Sequence, residues 1–157
     1  MTLPSNLGAV VVDANVFISL CAKEPSQTTA AHALADYATK GFSFHVPNAV
    51  VTEVLYVLCV KHANGLLTAI AYEEAIQNFQ DQMAAMTLPP QGDAHFIQRA
   101  TEMQQGYGCS HSADCLYLAL AEELATNTPT ELLTFDKGFI NQAAKNAPTV
   151  TVNLLPV

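Results

Sequence analysis

Two aspartates each follow a short apolar run that has the composition of a buried strand. Asp13 follows GAVVV at 8–12 and Asp136 follows ELLTF at 131–135. In open α/β sheets, functional groups collect at the carboxyl ends of the strands. We therefore expect both carboxylates at one edge of a sheet, although each aspartate taken alone is equally well explained as a turn residue or a helix cap.

Two further acids, Glu53 and Asp114, lie in segments with helical periodicity. Glu53 has apolar neighbours at helical spacing, such as Val50 and Val57, so its carboxylate needs a cation, a proton or a route to the surface. Asp114 lies in the first turn of its helix, where the helix dipole favours an anion, and capping alone would explain it. If one cleft gathers all four acids, their mutual repulsion requires a counter-ion. Hard cations such as Mg²⁺ or Mn²⁺ take oxygen ligands and suit that role.

Three polar residues near these acids are candidates for substrate contact: Asn15, Ser112 and Thr134. Asn15 either hydrogen-bonds the first acid or caps the helix that begins beside it. Ser112 and Thr134 each lie two residues before an aspartate. They either contact phosphate or serve as a helix cap and a strand residue, and the structural role is the simpler explanation.

Hydrophobic periodicity predicts strands alternating with helices along the whole chain. The predicted strands are 8–12, 42–46, 86–88, 131–135 and 149–155. The predicted helices are 16–22, 26–41, 49–65, 71–86, 93–105, 112–125 and 136–145. The segment 49–65 is apolar on nearly every face, which predicts a largely buried helix. This order favours a single three-layer α/β/α domain spanning residues 1–157, with a mostly parallel five-stranded sheet.

The composition is that of a well-packed globular protein, with 50% hydrophobic and 13% charged residues among 157. A net charge of −8 argues against a broad basic surface for nucleic acid, although bound divalent cations would reverse the local field at an acidic site. No apolar run is long enough to span a membrane, and the first eight residues lack a secretory pattern, so we expect a soluble cytoplasmic protein. The four cysteines form no C-x-x-C pair, which favours free thiols.

Four segments of the chain resemble, in order, the acidic motifs of PIN-domain nucleases. They are VVVDANV at 10–16, TEV at 52–54, SADCLYLALA at 112–121 and LTFDKGF at 133–139. The resemblance covers nearly the whole chain, and the size and order of elements are similar to those of single-domain VapC-type toxins. It implies a magnesium-dependent endoribonuclease with five parallel strands, often dimeric, and in toxins held inactive by an antitoxin protein.

Carried over by position, the resemblance makes Asp13, Asp114 and Asp136 the metal-coordinating acids. Glu53 would complete the catalytic site as a ligand or as a group that orients water. Metal ions would lower the pKa of a bound water and offset charge on an RNA phosphodiester, with Mn²⁺ as a substitute for Mg²⁺. No nucleophilic side chain is then needed. This agrees with the lack of a G-x-S-x-G motif, a phosphate-binding glycine loop and a dinucleotide fingerprint.

Three other interpretations compete with the nuclease. Cys109, His111, Asp114 and Cys115 have zinc-compatible side chains, but their spacing matches no common zinc pattern. A phosphatase with Asp13 as covalent nucleophile lacks its usual second acid, because Asn15 occupies that position. A rival of a different class is a catalytically inactive PIN-like module that binds a protein or RNA partner.

Overall fold

A computed structural model describes residues 7–106, 109 and 113–157. The strands are β1 (Ala9–Val12), β2 (Ser43–His45), β3 (Thr130–Thr134) and β4 (Thr151–Leu154). The helices are α1 (Ala14–Cys21), α2 (Gln27–Thr39), α3 (Ala49–Ala63), α4 (Ala69–Met83), α5 (Ile97–Gly106), α6 (Asp114–Ala125) and α7 (Gly138–Asn146), and a 3₁₀ helix (Asp93–Phe96) precedes α5. The predicted α/β fold is therefore confirmed.

The strands form one parallel sheet in the order β2-β1-β3-β4. All four residues of β1 are buried, as expected of a central strand covered on both faces. In register, Val12 of β1 pairs with Leu133 of β3, so the two strands end at the same level. This alignment places Asp13 and Asp136 at one edge of the sheet.

One of the five predicted strands is reduced to a single bridge. Within the predicted segment 86–88, only Thr87 pairs with the sheet, in a parallel bridge to His45. Pro89 and Pro90 follow directly, and proline has no backbone N–H with which to extend a ladder. The described part of the chain therefore contains a sheet of four strands instead of five.

The predicted helices are present, with shifts at their ends. Helix α1 begins at Ala14, two residues before the predicted start, because the side chain of Asp13 caps it by accepting a hydrogen bond of 2.7 Å from the Ala14 N–H. The segment predicted as one helix at 93–105 divides into the 3₁₀ helix and α5. No helix among the described residues is long and apolar enough to cross a membrane.

The prediction that the segment 49–65 is largely buried was wrong. Of α3, only Val50, Val54 and Leu58 are buried, whereas Tyr56 is 69% exposed. Helix α3 packs chiefly against α1 and α4, so one of its faces has no neighbour and an apolar surface is left open to solvent.

Candidate active site

Asp13 is the most buried of the four acids, with 6% of its surface exposed. Its Oδ1 accepts from the Ala14 N–H and its Oδ2 accepts a hydrogen bond of 2.7 Å from the Thr134 hydroxyl. The pKa of this carboxyl is raised to about 7, chiefly by burial and also by the negative charges of Asp114 and Glu53, although the hydrogen bond from Thr134 opposes these effects. The three carboxyl groups therefore lie close enough to influence one another's ionisation.

Thr134 is fully buried, and its hydroxyl forms hydrogen bonds that link the ends of β1 and β3. Besides donating to Asp13, its hydroxyl oxygen accepts from Asn15 Nδ2 at 3.3 Å and from the Asp136 N–H at 2.9 Å. The Asn15 side-chain oxygen in turn accepts from the Phe135 N–H at 3.2 Å. Asn15 thus reaches the first acid through Thr134, and neither of the two roles expected for Asn15 describes this bridge.

Glu53 is half-buried and accepts a hydrogen bond of 2.8 Å from the Tyr117 hydroxyl on α6. Burial raises the pKa of Glu53, as do the negative charges of Asp114 and Asp93, whereas the phenol donor lowers it. From its sequence, this carboxylate was predicted to need a cation, a proton or a route to the surface. The structure leaves it partly exposed and adds a hydrogen bond from a buried phenol, which the sequence did not indicate.

Asp114 and Asp136 are held in different ways. Asp114 is the first residue of α6, and its Oδ2 accepts from Gln142 Nε2 at 3.3 Å. Asp136 is exposed, and its Oδ1 accepts from the Gly138 N–H at 2.8 Å in a turn at the start of α7. Asp136 is therefore tied to the other acids through its backbone bond to Thr134, while its carboxylate is engaged at the helix start.

The remaining candidates are Ser112 and the residues of the possible zinc cluster. Ser112 and His111 lie outside the described residues, so their proposed roles stay predictions. Cys115 is buried in the core and Cys109 is exposed. Both thiols are free, as expected from the cysteine spacing.

The acids fit a hydrated divalent cation better than an enclosed one. Across residues 7–106, 109 and 113–157, no three His, Cys, Asp or Glu side chains converge closely enough to hold a metal ion by themselves. Mg²⁺ usually keeps several waters and is bound by only one or two carboxylates, so a closed cage is not required. The donor set is made of oxygens, and the mutual repulsion of Asp13, Glu53 and Asp114 is what a bound cation would relieve.

Two residues that hold the acids were missed in the sequence analysis. Tyr117 lies three residues after Asp114, which places both on one face of α6, and this spacing was a usable signal. Gln142 lies on α7 and approaches Asp114 from a distant part of the chain, so no local pattern marks it.

The fold and the site define a class of α/β proteins in which acidic residues lie at the carboxyl edge of a parallel sheet. The family model described as PIN domain matches residues 10–145. The chain belongs to the PIN domain family.

Comparison of structures agrees with this assignment. A chain in the crystal structure of VapBC2 from Rickettsia felis bound to a DNA fragment from their promoter superposes with a TM-score of 0.63 at 13% sequence identity. The match covers 94% of this chain and 99% of that one. At this sequence identity it shows only that the two chains share a fold. No curated protein sequence matches the chain.

Proposed function

We propose that the protein is a Mg²⁺- or Mn²⁺-dependent endoribonuclease that hydrolyses RNA phosphodiester bonds. The observation that carries the proposal is the buried Asp13 carboxyl, whose pKa is raised to about 7 by burial and by the charges of Asp114 and Glu53. Buried like charges of this kind are costly in a purely structural role and are typical of functional sites. Membership of the PIN domain family, in which nuclease activity is general, supports the same conclusion.

Each acid has a proposed role. Asp13, Asp114 and Asp136 would bind a hydrated cation, partly through its waters, and Glu53 would either complete its ligands or orient the attacking water. When bound, the ion supplies a water of lowered pKa and offsets charge on the phosphate and the leaving oxygen. Thr134 and Asn15 keep the Asp13 carboxylate in one orientation through their hydrogen bonds. We assign these two residues to positioning and not to direct contact with RNA.

The test is cleavage of a mixed pool of structured RNAs in Mg²⁺ or Mn²⁺, compared with chelator. The wild type should cut only with metal, and the Asp13→Asn, Asp114→Asn double variant should be inactive. Asp81→Asn, on the exposed surface of α4, is the matched control and should keep full activity. A parallel DNA pool tests the substrate, because cleavage of DNA alone would overturn the RNA assignment.

If the wild type is inert in every condition and calorimetry detects no divalent metal binding, the enzymatic proposal fails. The inactive PIN-like binding module then becomes the better account. The net charge of −8 and the open apolar surface of α3 would in that case point to a protein partner.

We further propose that the protein is the toxin of a toxin–antitoxin pair. The described surface has an uncharged groove between α3 and α4, with a volume of about 430 Å³. We call it the α3–α4 groove. It is lined by Val51, Leu55, Ile76, Phe79, Gln80 and Met83. An apolar helix of an antitoxin would fit this groove, and basic residues beside that helix would complement the acidic chain. The structural neighbour from VapBC2 supports a partner of this kind.

Two measurements test the toxin proposal and the occupant of the groove. Expression in a bacterial host should arrest growth for the wild type but not for the Asp13→Asn, Asp114→Asn variant. Light scattering of the purified chain tests the competing occupant, a second copy in a homodimer. A doubled mass that Leu55→Asp abolishes, and that Ile97→Asp on exposed α5 does not, would assign the groove to a second copy instead.

A further inference from the structure

Two buried tyrosines donate hydrogen bonds to carboxylates, and one of these carboxylates belongs to the acid group. Tyr117 is completely buried and donates to Glu53 Oε1 at 2.8 Å. Tyr37 is 3% exposed and donates to Glu131 Oε1 at 3.0 Å. Glu131 lies on β3, three residues before Thr134 and toward the opposite end of the strand. The chain therefore contains a matched pair of bonds, one at the candidate site and one remote from it.

The ring of Tyr117 is held in place within the core. It packs edge-to-face against Phe139, with ring centroids 6.4 Å apart and an interplanar angle of 73°. Phe139 lies three residues after Asp136, and Tyr117 lies three residues after Asp114. The phenol oxygen therefore has a fixed position relative to the segments that carry two other acids.

Among the residues that the structure describes, the Glu53 carboxylate accepts no hydrogen bond besides the one from Tyr117. Helix α3 packs chiefly against α1 and α4, and its outer face is exposed. The charge of Asp114 repels the Glu53 carboxylate, and a long glutamate side chain can relieve this repulsion by turning toward solvent. The phenol opposes that movement, because a hydrogen bond to a charged acceptor in a buried setting is stronger than one between neutral groups.

We infer that Tyr117 is a positioning residue for the proposed nuclease. Its hydroxyl holds Glu53 Oε1 so that the remaining carboxylate oxygen stays with Asp13 and Asp114. The inference deepens the proposed function and rests on it. It predicts that the phenol controls divalent metal affinity and turnover without contacting either metal or RNA.

The experiment compares Tyr117→Phe with Tyr37→Phe. Each variant keeps its ring and loses one bond between a phenol and a carboxylate. Tyr37→Phe also removes the acceptor of a 2.7 Å hydrogen bond from Asn153 Nδ2, so urea denaturation should show a modest loss of stability for Tyr117→Phe and a loss at least as large for Tyr37→Phe. Calorimetric titration with Mn²⁺ should show roughly tenfold weaker binding for Tyr117→Phe and no change for Tyr37→Phe. With RNA, kcat should fall roughly tenfold for Tyr117→Phe alone, while KM stays near the wild-type value.

A double-mutant cycle separates positioning from a general loss of structure. If Tyr117 acts through Glu53, adding Tyr117→Phe to Glu53→Gln should cost little further Mn²⁺ affinity. Additive losses would overturn the inference, and so would equal effects of Tyr117→Phe and Tyr37→Phe on Mn²⁺ binding. A wild type that neither binds Mn²⁺ nor cuts RNA refutes the proposed function. If the wild type binds Mn²⁺ and cuts RNA, and Tyr117→Phe has the same Mn²⁺ affinity and kcat as the wild type, only the positioning role is refuted.

Discussion

The hydroxyl of Thr134 donates a hydrogen bond of 2.7 Å to Asp13 Oδ2, joining the last residue of β3 to the residue that follows β1. The same oxygen accepts bonds from Asn15 Nδ2 and from the Asp136 N–H. One buried oxygen thus sets the relative positions of two acids and one amide. A contact of this kind cannot be replaced by water without opening the core.

Replacing this hydroxyl should therefore be costly. Thr134→Val keeps the shape of the side chain but leaves two donors without an acceptor, and we expect the free energy of unfolding to fall by about 1–3 kcal/mol. Thr134→Ser keeps the hydroxyl and should lose much less. Urea denaturation of both variants checks the prediction, and equal losses for Val and Ser would show that the methyl group matters and the hydrogen bonds do not.

The stability of the metal-free protein should depend on pH through Asp13. The pKa of its carboxyl is about 7 in the folded protein against an ordinary value of 3.8, so between these values the folded state holds a proton that the unfolded chain has released. The free energy of unfolding should therefore fall as pH rises from about 4 to about 7, and stay low above that range. The cause is burial first and the charges of Asp114 and Glu53 second.

Asp13→Asn removes this titration. At pH 8, without metal, the variant should be more stable than the wild type by about 1–3 kcal/mol, and the difference should shrink toward pH 4. Chemical denaturation at several pH values measures it, with Asp81→Asn as an exposed control. If the free energies of unfolding of the variant and the wild type differ by the same amount at pH 4 and pH 8, ionisation of the Asp13 carboxyl does not destabilise the folded protein.

The strands and helices could be predicted largely from local pattern. GAVVV is short, β-branched and unbroken by polar residues, so β1 and the position of Asp13 after it follow from the residues alone. The prediction of a full strand at 86–88 was wrong because a three-residue pattern does not reveal how far the neighbouring strand extends. Here β2 itself has only three residues, and Pro89 ends the pairing.

The contacts between distant segments could not be predicted in this way. Apolar residues on every face of α3 indicate a buried helix only if other elements pack against every side of it. The local sequence of α3 does not show how many elements do so. The hydrogen bond between Tyr117 and Glu53 joins residues 64 positions apart, and no periodicity encodes it. The acids were predictable because strand ends and helix starts mark them, whereas the side chains that hold them lie elsewhere.

Arg99 should be a structural residue independent of the site. Its guanidinium donates to both carboxylate oxygens of Glu122 on α6 and to the Asn146 carbonyl at the end of α7, so it joins α5 to two other helices. Lysine cannot form this fork, and Arg99→Lys should lower the free energy of unfolding by about 1–2 kcal/mol, a value reduced because the side chain is partly exposed. Mn²⁺ affinity should not change.

The comparison for Arg99 is Lys40→Ala, which removes an exposed ion pair with Asp36 one helical turn away. That pair is exposed to solvent, so it should contribute much less to stability than the contacts of Arg99. Thermal and urea denaturation of both variants measure the difference. If Arg99→Lys costs no more than Lys40→Ala, the three-helix contact of Arg99 is not a significant source of stability.

Lys137 should contact the RNA backbone. Of the six basic side chains, it alone makes no hydrogen bond or ion pair with any residue that the structure describes, and it directly follows Asp136. Lys137→Ala should raise the KM for RNA about fivefold, with a smaller effect on kcat, and should reduce the salt dependence of binding by about one phosphate contact. Lys40→Ala, which removes the same charge at a remote site, should change neither quantity. If the two lysine variants behave alike, only the net charge of the chain influences RNA binding, and Lys137 has no specific contact with it.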